Sequence, residues 1–388
     1  MFFTISAFVI FCYLVIQLAF KASKYINLNF KLVPYLYIIA IYMTLEIELL
    51  KWYSLNKRDL PWRKNNDPYR VWVSEIILQQ TRITQGKKYF NDFIDKFPTV
   101  YDLANSDEDT VLKSWQGLGY YNRAINLHKT SKLIVNDLGG KFPTTYDQLI
   151  KLKGIGDYTA SAISSICFDK YNPVVDGNVL RFISRIYGVK IPIDSAQGKK
   201  KIKELANKLI QKTKTPGDFN QALMEFGALS CTPFPDCQLC IFNSKCLAFK
   251  KNKVDSIPVK TQKKKIRKRY FNYLVFKGND GKTFINQRKE KDIWYKLYQF
   301  PLIEKDILED DIFLSSDFSE YLKNNKLKIS NTKHEIIRYK HVLSHQHLFI
   351  AFYLINLNTV VKDGYDISNL NNFTFPVPIS NFISKYLI

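Results

Sequence analysis

Hydrophobic rhythm changes once along this 388-residue chain, and the change falls at a short, intensely basic stretch. From Met43 to about Phe249, apolar residues recur at spacings of three and four, in 71–78, 84–94, 110–115, 147–152, 158–167, 178–187 and 201–210. Such spacing lines one face of a helix. Phe97-Pro98, Gly117-Leu118-Gly119, Gly139-Gly140 and Pro216-Gly217 read as the turns between these helices. Beyond the basic stretch, Tyr270–Phe276, Thr283–Gln287, Ile336–His341 and Leu348–Ile355 are short β-branched and aromatic runs that read as strands. The pattern excludes one architecture throughout. It implies a mainly α domain over 43–249, a basic linker over 250–269 and a smaller α+β domain over 270–388.

The linker carries ten basic side chains against one acidic, so it holds +9 of the formal net charge of +22. Charge of that sign and density points to a polyanion, either nucleic acid or an anionic membrane surface. AT-rich coding bias also raises Lys, Ile, Asn, Phe and Tyr, so the position of the charge says more than its sum. At 46% hydrophobic and 15% aromatic, the chain is too apolar for general disorder. Six cysteines in this length are ordinary usage and exclude a disulfide scaffold. Residues 1–20 carry no charge and are long enough to span a bilayer. Residues 1–42 are nevertheless read as translated upstream sequence before a start at Met43, with a membrane anchor over 1–20 as the alternative. No cleavage site of small residues follows, so a signal peptide is not expected.

Cys231, Cys237, Cys240 and Cys246 form a C-x5-C-x2-C-x5-C run. Four thiolates that close can wrap a single tetrahedral ion or one cubane cluster, and spacing alone puts zinc before iron–sulfur. Cys167, in an apolar helical stretch, reads as a core thiol. The segment Leu152–Ala160 joins two helical patterns through Gly154-Ile155-Gly156. A turn of this kind brings backbone N–H groups up to a phosphate oxygen at the start of the following helix, with Lys153 adding charge. An ordinary helix–helix turn is the plain alternative. Two carboxylates stand out. Glu75 lies in the apolar run Val71–Leu78, where burial would raise its pKa and keep a proton available. Asp176 reads as a helix N-cap whose N–H donors would hold it ionised. One acid pushed up and one pushed down is an arrangement that protonates a leaving group and stabilises the resulting cation. Taken singly, Glu75 fits a solvated helix face and Asp176 a structural cap.

Leu60-Pro61-Trp62-Arg63, the stretch Ser74–Arg82, Gly117–Arg123, the Leu152–Ala160 hairpin, Val175–Val179 and the four-cysteine loop occur in one order. Together they resemble the adenine-specific mismatch DNA glycosylases (the MutY family) of the helix-hairpin-helix superfamily that includes endonuclease III, over about Met43 to Phe249. The resemblance implies that Glu75 protonates adenine, Asp176 stabilises the sugar oxocarbenium ion and Asn178 supports it. Tyr158 occupies the position where bifunctional relatives carry a Schiff-base lysine. Gln80 and Tyr120 correspond to residues that fill the stack when adenine leaves it, with Thr81 and Leu118 beside them. Lys153, Gly154 and Gly156 form the DNA-facing hairpin, and Arg58 and Arg63 fall around the adenine pocket. The cysteines are implied to hold a [4Fe–4S] cluster, which reverses the zinc-first order. Their first spacing is one residue shorter than the family's usual one. Beyond the linker, the resemblance implies a Nudix-like (MutT-like) domain that recognises 8-oxoguanine through Leu343, Ser344 and His345, with leucine where phenylalanine is usual. A surface turn is the plain reading of that Ser-His pair. No G-x5-E-x7-R-E motif is present, so pyrophosphate hydrolysis is not expected. The expectation is a monomeric, cytoplasmic, DNA-associated, monofunctional glycosylase for adenine opposite 8-oxoguanine or guanine. A bifunctional glycosylase/lyase and a catalytically silent damage-binding protein are the alternatives.

Overall fold

The computed structural model describes residues 44–261, 266–306, 312–329 and 335–388. Residues 1–20, and the choice between an anchor and upstream sequence, lie outside the described residues. Among the described residues, no helix is long and apolar enough to cross a membrane.

The first part is helical: α1 Leu45–Asn56, α2 Pro68–Leu78, α3 Ile83–Lys96, α4 Val100–Asn105, α5 Glu108–Ser114, α6 Asn122–Leu138, α7 Tyr146–Leu149, α8 Asp157–Phe168, α9 Gly177–Ile186, α10 Ala196–Ile210, α11 Pro216–Leu229 and α12 Leu247–Lys250. Side-chain caps fix several starts, since Asp67, Asp107, Asp176 and Ser195 each accept a backbone N–H of the first turn. The helices sort into two apolar clusters. One gathers side chains of α2, α3, α6 and α8, the other those of α1, α9, α10 and α11. Met224 of α11 packs against both, so a seam runs between the two lobes.

Pro216-Gly217 is not a turn, contrary to the sequence reading. It opens α11, where proline's missing N–H costs nothing in the first turn. Gly217 then lets α11 lie directly on α8, because a Cβ there would sit 2.8 Å from the Ser165 carbonyl oxygen. The helix expected over 147–152 shrinks to the single turn α7 before the chain bends through Gly154.

The second part is a mixed sheet in the order β5-β1-β7-β6, with β1 Arg267–Lys277, β5 Leu302–Lys305, β6 Glu335–Val342 and β7 Gln346–Asn356. The short pairs are β2 Lys282–Thr283 with β8 Tyr365–Asp366, and β3 Asn286–Gln287 with β4 Tyr298–Gln299. β1 and β7 run parallel and are buried on both faces, as a continuous apolar run requires. Helix α14, Val377–Tyr386, covers one face, where Phe382 stacks on Phe352 at 4.0 Å. Helix α13, Ser316–Asn324, covers the other, where Tyr321 stacks on Phe276. The result is an α/β/α sandwich.

The two parts are joined by specific polar contacts. Lys113 of α5 donates to the carbonyl oxygens of Asn371 and Phe373, Gln116 donates to Ser380 Oγ at 3.2 Å, and Lys296 pairs with Glu108.

Candidate active site

A cavity of about 190 Å³ opens on the seam between the helical lobes. Glu75 enters from α2, and only 7% of the residue is exposed, so the sequence alternative of a solvated face is excluded. Tyr158, in the first turn of α8, donates its hydroxyl to Glu75 Oε2 at 2.6 Å. Burial pushes the Glu75 carboxyl up to about 7, against the downward pull of that hydrogen bond, and the nearby Asp176 adds to the rise. The group is therefore poised to hold or release a proton near neutral pH.

Asp176 caps α9 from the other lobe. Its Oδ1 accepts the Val179 N–H at 2.7 Å and its Oδ2 accepts Asn178 Nδ2 at 2.8 Å. The expectation that these donors push its pKa down is not met. Burial in the cavity outweighs them and pushes the carboxyl up. Both acids thus move in one direction, and their partners distinguish them: one hydroxyl for Glu75, two N–H donors for Asp176. Asn178 is itself held by Arg181, whose Nη2 donates to Asn178 Oδ1 at 3.0 Å while Nε donates to the Cys231 carbonyl oxygen at 2.6 Å.

A third carboxylate, absent from the sequence reading, completes the cavity wall. The Glu225 side chain on α11 is 1% exposed. Its Oε2 accepts Arg58 Nη2 at 2.7 Å and Arg63 Nη2 at 2.9 Å, and its Oε1 accepts Arg58 Nε at 2.8 Å. Burial opposes its ionisation, but hydrogen bonds from Arg58 and Arg63 outweigh burial and hold the carboxyl down at about 2. Arg63, expected around the adenine pocket, directs Nη2 to this carboxylate and Nη1 to the Arg58 carbonyl oxygen. The signal for Glu225 was the one used for Glu75, an acid inside the apolar run Ala222–Phe226.

Thr81 lies on the cavity rim, and Gln80 beside it is exposed in left-handed backbone, φ +61°. Tyr120 is likewise exposed at φ +49°, with Leu118 half-buried in the same turn. Left-handed backbone costs a non-glycine residue roughly 1–2 kcal/mol, so the surroundings must hold both in place. In the hairpin, Gly154 is at φ +80° and a Cβ there would lie 2.7 Å from Asn126 Cβ, so no other residue fits. Gly156 caps α8 in extended backbone with open space above it. Lys153 is exposed beside it. Asp157 follows at the first helical position, where Lys203 neutralises it.

Comparison with known proteins gives this geometry a family. Residues 73–222 match the model described as HhH-GPD superfamily base excision DNA repair protein, and residues 272–385 match a NUDIX domain. A protein of Buchnera aphidicola (from Schizaphis graminum) named Adenine DNA glycosylase is 36% identical over 348 residues, covering 87% of this chain and 97% of that protein. The chain belongs to the adenine DNA glycosylase family. Proteins of that name from Arabidopsis thaliana (31% identical, 87% of this chain and 61% of that one) and Homo sapiens (41%, 52% and 38%) are also similar.

In this adenine DNA glycosylase family member, the three residues read as base-recognising form the turn between β6 and β7. Leu343 is half-buried, while Ser344 and His345 are exposed. Ser344 Oγ and Tyr120 Oη share a hydrogen bond of 2.9 Å, so this turn meets the helical domain at the exposed tyrosine. A cleft of about 510 Å³ lies there, walled by Leu118, Tyr120, Trp294, His341, Leu343 and His345. Trp294 and His341 were not singled out from the sequence. Trp294 and Lys296 adopt left-handed backbone (φ +62° and +66°), which no local sequence signal marks.

The four cysteines line one hollow with Phe182, Phe226 and Phe242 as apolar walls. Arg185 Nη1 donates to Cys231 Sγ at 3.6 Å, and the Phe242 N–H donates to Cys240 Sγ at 3.4 Å. Among the described residues, no group of three or more Cys, His, Asp or Glu closes on a single-ion position. Cys167 is half-buried and packs on the first core, with burial pushing its thiol up to about 12.

Proposed function

We propose that the chain hydrolyses the N-glycosidic bond of adenine mispaired with 8-oxoguanine or guanine in duplex DNA, without cutting the strand. The observation that carries this reading is the buried Glu75 carboxyl, raised to about 7 and facing Asp176 across one cavity. With Oε2 taken by Tyr158, the acidic proton of Glu75 resides on Oε1, the atom free to deliver it to a ring nitrogen of an extruded adenine. Adenine then departs neutral. Asp176, steadied by Asn178 and the Val179 N–H, stabilises the sugar cation until water adds. Tyr158 stands where imine chemistry would need an amine, so this site performs hydrolysis and not β-lyase cleavage. Lys153, Gly154 and Gly156 approach a phosphate at the open start of α8, and Gln80, Thr81, Leu118 and Tyr120 fill the vacated stack. Leu343, Ser344 and His345 read the base opposite, which the Tyr120–Ser344 contact supports.

The four thiols line one hollow, and Arg185 and the Phe242 N–H direct donors at two of the sulfurs, which supports an anionic [4Fe–4S] cluster there. When bound, the cluster supplies structural closure of the loop after α11. Cys231, Cys237, Cys240 and Cys246 would hold it.

Single-turnover assays on duplexes with adenine opposite 8-oxoguanine, guanine or thymine, with and without borohydride, test the reading. Free adenine and an intact abasic strand are expected from the first two. A borohydride-trapped adduct would establish lyase chemistry instead, and tight binding without base release would leave a damage-binding protein.

A further inference from the structure

Arg123 closes the Gly117–Arg123 motif. Its place is unfavourable for its own helix, because it sits in the first turn of α6, where the helix dipole repels a cation. The side chain leaves that helix altogether. Nη1 donates to the carbonyl oxygens of Ile76 (2.7 Å), Ile77 (3.1 Å) and Gln79 (2.6 Å), at the end of α2. Nη2 donates to those of Leu118 (3.3 Å) and Gly119 (3.0 Å). The last carbonyls of a helix lack intrahelical partners, so one guanidinium satisfies the end of α2 and the neighbouring turn at once. It also lies 5.3 Å from the Trp115 ring and 5.8 Å from the Tyr120 ring. Burial lowers its pKa to about 10, so it stays charged at neutral pH, and its buried Nε has no hydrogen-bond partner among the described residues.

Gln79 and Gly119, two of the clamped carbonyls, immediately precede Gln80 and Tyr120, the two exposed residues in left-handed backbone. Arg123 therefore pins the strained backbone on both sides. We infer that Arg123 is a positioning residue that joins the Gln80 and Tyr120 loops and the Glu75 helix into one body, so that both wedges enter the duplex in a single step with the acid in register. This rests on the proposed glycosylase reading. Lysine keeps the charge but offers donors at one point, whereas the planar guanidinium fork spans two loops.

Two fluorescent bases in one duplex test it. 2-Aminopurine at the target position reports extrusion near Gln80, and an emissive pyrimidine analogue next to the opposing 8-oxoguanine reports entry of Tyr120, which lies on the Ser344 side. In the unmodified protein, stopped-flow traces from the two probes are expected to share one rate constant, and Y120A to slow both by the same factor. Arg123→Lys should split the traces into two rates and lower single-turnover excision roughly 10- to 100-fold, the cost of a misplaced reacting group. The pH dependence set by Glu75 should not move. A merely structural role would reduce the active fraction and leave the traces coincident. Different rate constants in the unmodified protein overturn the inference, as does R123K with coincident traces at the original rate. If R123K does not fold, Y120A decides alone: slowing confined to the opposite-strand probe overturns the joint step. An unmodified chain that extrudes no adenine defeats the proposed function, and this inference with it.

Discussion

The two walls of the cavity hold the same side chain in opposite states. Glu75 and Glu225 both lie within apolar helical runs and both are buried, yet one is pushed up to about 7 and the other held at about 2. Burial acts the same way on each. A single tyrosine hydroxyl does not offset it at Glu75, whereas two guanidinium groups more than offset it at Glu225. One wall is thereby a proton store and the other a fixed, neutralised ion pair.

The largest test of this division is Glu75→Gln, which should cut single-turnover excision roughly 10²- to 10⁴-fold, the usual worth of a general acid. Mismatch affinity by gel shift should remain close to that of the unmodified protein. A near-normal rate would remove Glu75 from the chemistry. Glu225→Gln should act on stability instead. Two arginines would lose their buried counter-charge, at a cost of about 3–5 kcal/mol in urea unfolding. Equal losses of stability from both glutamines would erase the distinction between the walls.

The pH dependence separates them in sign. Glu75 must be protonated to act, so excision should fall as pH rises through about 7. Its folded value lies above its ordinary 4.5, so its stabilising contribution is complete below about 4.5 and is lost as pH rises towards about 7. Glu225 has the opposite sign: its contribution is present above about 4.5 and lost as pH falls towards about 2. Urea melts across both windows should show E75Q flattening only the upper one. The smallest expected effect is that of Tyr158→Phe. Loss of the donor to Oε2 should raise Glu75 further and move the falling limb of the rate to higher pH, with a modest change in the maximum rate. A limb that stays in place would mean that the hydroxyl does not tune the acid.

The sequence made Glu75 and Asp176 legible because each interrupts an apolar pattern or starts a helix, and both signals are local. It left Glu225 unread, although the same interruption was present, because its meaning depends on Arg58 and Arg63 more than 160 residues away. The pKa direction of Asp176 was misjudged for a related reason: its capping donors are visible in sequence, and the depth of the cavity is not. Periodicity separated the helical region from the stranded one, but it passed over α6 and α11, and the single strand expected over Thr283–Gln287 is two short pieces, β2 and β3, in different sheets. Pro216-Gly217 misled because that dipeptide serves a turn and a tightly packed helix start equally well, and only the facing Ser165 carbonyl decides between them. The carbonyl clamp of Arg123 joins the end of one helix to a turn some forty residues on, and no local pattern encodes that pairing.

The parallel pairing of β1 with β7 has a consequence for synthesis. Arg267 of β1 lies opposite Gln346 of β7, 79 positions later in the chain. At about 5–20 residues per second, a ribosome needs roughly 4–16 s to supply the second strand after the first has emerged. The helical domain lies wholly upstream of β1 and can be complete by then, whereas β1, apolar on both faces, must wait without its central partner. The basic segment just upstream sets like charges beside the waiting strand, and such charges disfavour edge-to-edge pairing of two nascent chains.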